Sequence, residues 1–496
     1  MEVVDRPSPP GDYDVVVVGS GPAGLQTSHT LSALGVGHAV LSRDDGPGGM
    51  FRRFPIFERL ISWTKPDAPV DRQSREYEWY DHNSLVGEEP GVRGLVPNFM
   101  DRTFDVPSRA EMEAALVAFV ERAGVTVRYG CSWTGTRREG DGRLVLETTD
   151  GEYRCRFAVF ALGVTEPWTP PIPGAEHGTH YVQTKPPGAY RDKRVVIIGK
   201  RNSGFEIGHG LLPWARELVL VSPRPVQLDI LPHSPLRLRY LQPYEEYVRG
   251  GAGTFVVDGA IERIERSNGH RRVVAEGTTR PGRLVFDADE VILATGFKAP
   301  LQDLRELGVA TVLNDRVPAQ SPFFESLSAQ GVFFAGNITQ GSKGMRKHGV
   351  GPNSTSVNGF RYNARVLAQH LAERLGMARE RPTVEPEALV DFLLRELSCA
   401  PELWIQKNFL ARVVSTCDDG LRDEGILPLE HFLDAAGPDA VAAAIEMDPR
   451  AVIHPTLYLR RDGRIEEHEL PPHPVHAYGG PAYVREAVSI LKPLTG

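Results

Sequence analysis

Asp14-Val-Val-Val-Val18, Gly19-Ser-Gly21-Pro-Ala-Gly24, Leu25-Gln-Thr-Ser-His-Thr-Leu31: these residues decide the fold. The run of valines ending at Val18 predicts a buried parallel strand. The three glycines follow at the spacing of a strand-to-helix turn that accepts a dinucleotide. Gly19 permits the tight turn, Gly21 lets the backbone approach a pyrophosphate, and Gly24 lets the helix pack close to the strand. A helix from Leu25 to Leu34 would then point free N–H groups at the phosphates. A second strand is expected over His38–Leu41. Where that strand ends, an acid for the ribose hydroxyls is expected; the chain has Ser42-Arg43-Asp44-Asp45 instead.

The same pattern returns at residue 194. Arg194-Val-Val-Ile-Ile198 predicts a strand, Gly199-Lys200-Arg201-Asn-Ser203-Gly204 a turn, and Phe205–Leu212 a helix. Arg201 takes the place of the middle glycine. The next strand, 217–221, leads into Ser222-Pro-Arg224. Lys200, Arg201 and Arg224, with no acid among them, suit a 2′-phosphate and so favour NADPH over NADH. Taken singly, each also reads as a solvated surface cation.

Three strands ending at glycine frame this second unit: Phe157–Gly163, Val291-Ile-Leu-Ala-Thr295-Gly296 and Gly331-Val-Phe-Phe-Ala-Gly336-Asn337. They predict a discontinuous first domain, 12–165 plus 298–378, with a second domain, 166–297, nested inside it. A helix is expected over 359–375. Residues 379–387 read as a linker. Beyond it, 388–496 reads as an α/β extension with a helix over 388–397 and a strand over 458–461. The fold class is thus α/β, with two Rossmann-like units and a C-terminal addition.

Composition narrows the function. A net charge of −8 argues against a nucleic-acid partner, which would call for a concentrated basic surface. No apolar run reaches the ~18 residues needed to cross a bilayer. Met1–Asp14 lacks an apolar signal core, so a cytoplasmic location is expected. The four cysteines, Cys131, Cys155, Cys399 and Cys417, form no C-x-x-C pair, and no cluster suits a metal. A flavin-linked disulfide reductase would need a close thiol pair.

These pieces together resemble the flavin-containing monooxygenase and amine N-hydroxylase class. The first glycine turn matches the FAD site, and Gly48-Gly49-Met50-Phe51 matches the isoalloxazine side. Gly199-x-x-x-Ser203-Gly204 matches the NADPH site, with Ala294-Thr295-Gly296-Phe297 and Phe334-Ala-Gly336-Asn337 completing the set. Within the class, the chain is most similar to the FAD-dependent oxidoreductase domain-containing proteins. That likeness is carried by Gly21–Gln26, Leu60-Ile-Ser-x-x-Lys65, Tyr80-Asp-His-Asn83-Ser-Leu85, Val106-Pro-Ser-Arg109, Asn358-Gly-Phe-Arg-Tyr362 and His454-Pro455. In the class the position of Asn337 is often an aspartate that binds the ribityl chain.

The resemblance implies FAD and NADPH as cofactors. It further implies oxygen transfer from a C4a-(hydro)peroxyflavin to the nitrogen of a small amine or amino acid, with O2 as co-substrate. An acidic amino acid such as aspartate, oxidised in successive steps to a nitroso or nitro product, fits the cations near the expected flavin edge. The alternative is a non-oxygenating NADPH-dependent reductase or redox partner. The stretch Pro173–His180 lacks the F-x-G-x-x-x-H fingerprint of ring-expanding monooxygenases, which favours N-hydroxylation. Candidate catalytic residues are Lys65, Asn83, Lys347 and His348, the last two following Arg346. Lys65 would hydrogen-bond the flavin or a substrate carboxylate, the 346–348 cations would suit an acidic amino-acid substrate or the flavin pyrimidine ring, and Asn83 would donate to the peroxide or the nicotinamide. Plain readings stand beside these: surface lysine, Asx turn, solvated charge run. Self-association is left open.

Overall fold

The computed structural model describes residues 6–52, 59–226, 238–250, 253–267, 269–342, 347, 352–377 and 381–495. Candidate residue His348, together with Arg346, lies outside them. The chain divides into two compact units. Residues 165–298 form one; the N-terminal segment through Phe51, with 59–164 and 299–496, forms the other. The α/β class with two Rossmann-like units is borne out.

In the larger unit, Gly11–Val18 is a central strand. It pairs in parallel with His38–Leu41 on one side and with Gly151–Phe160 on the other; Val332–Phe334 continues the sheet beyond Gly151–Phe160. Parallel strands of this kind are covered on both faces, so Val15, Val16 and Val17 are all buried, with no alternation. The Pro22–Ala33 helix packs against the Val357–Arg374 helix. Trp133, Phe160 and Phe334 fill the sheet's other side, with the Trp133 and Phe160 rings 4.9 Å apart.

The smaller unit is a seven-stranded sheet. Its core is parallel: Thr254–Ser267, Glu217–Ser222, Arg194–Ile198, Glu290–Leu293 and Thr179–His180, in that spatial order. The long Thr254–Ser267 strand runs on into an antiparallel arm with His270–Gly277 and Arg283–Ala288.

The C-terminal part departs furthest from expectation. It is a six-stranded antiparallel sheet, ordered 383–384, 420–428, 410–417, 440–447, 453–461, 464–469. The stretch expected to be a linker contributes its first strand, Thr383–Val384. This sheet lies within the larger unit. Arg75 is its main polar tie, donating to Glu396 at 2.8 Å and to Glu402 at 2.7 Å. The Trp79 indole donates to the Cys399 carbonyl at 2.6 Å.

Candidate functional site

The first glycine turn shows what each glycine is for. Gly19 sits at φ 116°, and a Cβ there would lie 2.5 Å from the Ala161 carbonyl oxygen. A Cβ on Gly24 would lie 1.9 Å from the Gly19 oxygen. The fold itself therefore requires these two. Gly21 is different: its backbone is extended, at φ −73°, and a Cβ would meet nothing within 4 Å. The protein leaves space there beside a helix N-terminus whose N–H groups receive no side-chain cap. Free N–H groups facing open space fit a pyrophosphate, so the residues present suit an adenine dinucleotide.

The neighbouring segments close around this turn. Gly49 packs over Gly21, its would-be Cβ 3.5 Å from the Gly21 Cα. Met50 is half-buried and Phe51 buried, and the Phe51 carbonyl accepts a 2.6 Å bond from Arg109. A Cβ on Gly336 would lie 2.8 Å from the Ala23 Cβ. The Asn337 Oδ1 accepts from the Val164 N–H at 2.9 Å, tying two strand ends together. Ser42 is buried; its hydroxyl pairs with that of Ser20 at 2.7 Å and also accepts from the Asp44 N–H. Arg43 is exposed.

The second turn repeats the first. Cβ atoms on Gly199 and Gly204 would lie 2.3 and 2.1 Å from the carbonyl oxygens of Ala294 and Gly199. Arg201 has φ −114°, an ordinary extended value, so an arginine fits where the pattern has glycine. Ser203 lies in the first turn of the helix that follows, and Thr295 and Gly296 are anchored to Trp168. Lys200 corrects the expectation of a free cation. Its ammonium is buried and paired with Asp258, which also accepts from the Thr279 hydroxyl. Asp258 sits opposite Ser222 in the sheet register, on the neighbouring strand. Arg224 stays exposed.

The polar candidates of the larger unit separate clearly. Trp63, Thr64 and Lys65 run beside Tyr80, Asp81 and His82 as a short ladder. The Trp63 ring lies tilted against that of His82, ring centres 4.6 Å apart, and the Lys65 ammonium lies 5.6 Å from the Tyr80 ring centre. Lys65 is exposed. Asn83, expected to donate to a reacting group, is committed to the fold. Its amide donates to the Ser62 carbonyl and to the Thr64 hydroxyl, both at 2.9 Å, and Asp81 caps its backbone N–H. Both amide protons are used, and the Asx-type turn here is made by the Asp81 side chain rather than by that of Asn83. Lys347 is likewise no free cation: it binds Glu446, Glu467 and Glu469 of the C-terminal sheet. Although burial opposes it, Glu467 and Glu469 hold its pKa above the usual lysine value.

Two groups that the sequence reading passed over organise the region. Arg361 is fully buried and donates to the carbonyls of Asp81, Ser84 and Glu78. Tyr362 donates to Glu78 at 2.7 Å, while the other Glu78 oxygen lies 3.7 Å from the Arg93 guanidinium and has no hydrogen-bond partner among the described residues. Burial raises the pKa of that carboxyl. A cavity of about 340 Å³ opens alongside, lined by Arg75, Arg93, Arg365 and Arg412 with Glu88 and Glu402. Each of these guanidiniums already faces a carboxylate, as befits a docking seam.

A model of the pyridine nucleotide-disulphide oxidoreductases matches residues 16–336, well over half of the chain. The chain belongs to this family. Its cofactors are FAD and NADPH. Among its relatives, FAD-dependent oxidoreductase domain-containing protein 2 of Danio rerio is 30% identical over 274 residues, 52% of this chain. The match covers only 39% of that relative's own length. A ferredoxin–NADP reductase of Salinispora arenicola is 29% identical over 73% of this chain and 97% of its own. The solved flavin-containing monooxygenase of Stenotrophomonas maltophilia shares the fold, with a TM-score of 0.56 and 20% identity over 73% of this chain and 99% of its own. All four cysteines are free; Cys131 and Cys155 are buried, and burial pushes the Cys155 thiol up to about 12.

Proposed function

We propose that the chain is an NADPH-dependent FAD monooxygenase that hydroxylates the nitrogen of a small amine or amino acid. Residues 12–165 and 298–378 hold FAD, and 166–297 hold NADPH. One observation carries the reading: the C-terminal sheet and its helices dock beside the two segments, 80–85 and 358–362, that carry the family likeness. Trp404 packs against Trp79 at 5.5 Å, and Gln406 accepts from the Asn353 N–H at 2.6 Å and donates to the Gly359 carbonyl at 2.9 Å. The Salinispora reductase is matched over nearly all of its own length by 73% of this chain, so it has no room for a module of this size. A ferredoxin must reach an open flavin edge, whereas oxygen transfer needs an edge shut off from water.

FAD, held by these residues, would supply the redox chemistry that links NADPH to O2. The chain's residues bind and enclose. Gly21 and the helix behind it hold the pyrophosphate; Arg224 meets the coenzyme's 2′-phosphate; Lys65 stands exposed on the ladder face that Arg361 fixes. A neutral amine is needed for attack, so the polar groups around it must not hold it protonated. The test is NADPH oxidation by the holoprotein across a panel of amines and amino acids, with hydroxylamine and nitroso products assayed. Substrate-stimulated oxidation with such a product supports the reading. Efficient reduction of ferredoxin or a quinone, with no oxygenated product from any amine, overturns it in favour of a reductase.

A further inference from the structure

The cavity of about 340 Å³ at the seam has room for roughly ten waters, or for a small organic molecule in their place. One face of the Val357–Arg374 helix lines it. Tyr362, Arg365, Val366 and Gln369 recur at spacings of three and four, so their side chains share that side. The C-terminal sheet contributes Ile426, and the 75–93 segment contributes Arg93 and Glu88. No lining residue belongs to either glycine turn.

The guanidiniums around this space are not equally used. Arg75 donates to both Glu396 and Glu402, and Arg412 holds Asp423 through two nitrogens. These two are matched within the seam; Arg93 and Arg365 are matched only in part. Arg93 gives its Nε to the Gly87 carbonyl and its Nη1 to that of Gln73, but its Nη2 lies 3.7 Å from Glu88, too far for a hydrogen bond. Arg365 donates to Glu88 through Nη2 alone. Its Nη1 stands 3.9 Å from Glu402, and its Nε meets no acceptor among the described residues. The Gln369 amide is likewise unengaged among the described residues.

The Arg93 and Arg365 side chains are 11% and 22% exposed, whereas Glu88, the carboxylate they share, is 64% exposed. The fold therefore fixes the two cations, while their counter-ion stands in water and can turn away. An ion pair with so exposed a partner contributes little to stability. An incoming carboxylate that engages both guanidinium forks can take its place. Glu78, 3.7 Å from the Arg93 Nε, is pushed towards its neutral form by burial and competes weakly for that cation. Val366 and Ile426 offer an apolar wall to a short aliphatic chain, and Gln369 offers a donor to a polar group at its far end.

We propose that this cavity binds a small organic carboxylate, which Arg93 and Arg365 clamp where the Glu88 carboxylate now stands. Glu88 is then an internal stand-in that competes with the ligand. The site is independent of the reaction proposed above.

Calorimetric titration of the FAD-loaded protein with succinate, glutarate and inorganic phosphate tests this. Glu88→Gln removes the competing charge and keeps the shape, so it should bind a dicarboxylate about fivefold more tightly than wild type. Arg365→Met should bind it about 10–100-fold more weakly, the range for losing a charge-assisted contact. Both variants should keep wild-type flavin content, because the pair they break has an exposed partner. A dicarboxylate bound elsewhere would feel neither substitution. Glu88→Gln that binds no tighter than wild type overturns the proposal, and it decides the matter alone if Arg365→Met does not fold. Undiminished affinity in a folded Arg365→Met also overturns it. Phosphate bound as tightly as either dicarboxylate overturns the assignment to an organic acid, since phosphate has no chain to lay against Val366 and Ile426.

Discussion

The Arg361 guanidinium donates to the backbone carbonyl of Asp81 at 2.8 Å, from a helix 280 residues further along the chain. The same guanidinium holds Ser84 at 2.7 Å and Glu78 at 3.1 Å. Two sequence segments that look unrelated, 80–85 and 358–362, are therefore one structural object. A planar fork with five donors suits three carbonyls as an ammonium does not.

Arg361→Met should destabilise the protein by about 3–5 kcal/mol, because it strands three backbone carbonyls in a dry site and removes a cation that favours the buried Glu78 carboxylate. Arg361→Lys should recover only part of this. Thermal unfolding followed by flavin release measures both; a variant as stable as wild type would refute the anchoring role.

The two glycines of the first turn should separate folding from flavin binding. Gly24→Ala puts a Cβ against the Gly19 oxygen, so soluble yield and thermal stability should collapse. Gly21→Leu meets only open space, so the protein should fold as judged by circular dichroism but emerge colourless. A yellow Gly21→Leu protein with full flavin content would contradict the pyrophosphate assignment.

Lys347→Met should expose the mutual repulsion of Glu446, Glu467 and Glu469. The Lys347 hydrogen bond lowers the Glu469 pKa, so this contribution to stability is present above the ordinary carboxylate range and lost as pH falls through it. The variant should be about 1–3 kcal/mol less stable at pH 7, and the gap should close on acidification. Chemical denaturation at pH 7 and pH 4.5 checks the sign; a gap that widens in acid would be the wrong one.

His82 and His370 are both depressed to about 4, chiefly by burial, with Arg361 and Arg374 adding to it. Because the unfolded chain takes up these protons first, stability should fall as pH drops from about 6.5 towards 4. His370 stacks on Phe323 with ring centres 4.0 Å apart, so His370→Phe keeps the packing and should flatten that acid slope. The measurement is the thermal midpoint against pH, and an unchanged slope would show that His370 does not titrate in this window.

Arg224→Ala should weaken 2′,5′-ADP binding by about 1.5–3 kcal/mol while leaving 5′-AMP almost unaffected. Lys200→Met should show no such selectivity, because its ammonium is already matched by Asp258. Calorimetric titration of both nucleotides distinguishes the two roles, and equal losses for both ligands in Arg224→Ala would make that arginine merely structural.

The amino-acid sequence by itself determined the two nucleotide-binding units. Their strands carry unbroken runs of β-branched residues, and glycines stand where a Cβ would strike a carbonyl; both constraints act between near neighbours. It did not determine the C-terminal sheet. Its central strand, Ala440–Met447, is buried along nearly its whole length and rich in alanine, so it shows neither strand alternation nor β propensity. Which cations are free was equally illegible. Lys65, Lys200 and Lys347 are alike as letters, and only the folded chain brings Asp258 to Lys200 and three glutamates to Lys347. Charge balance is set by pairs distant in the sequence, and those pairs exist only once tertiary packing has removed the water that would otherwise screen them.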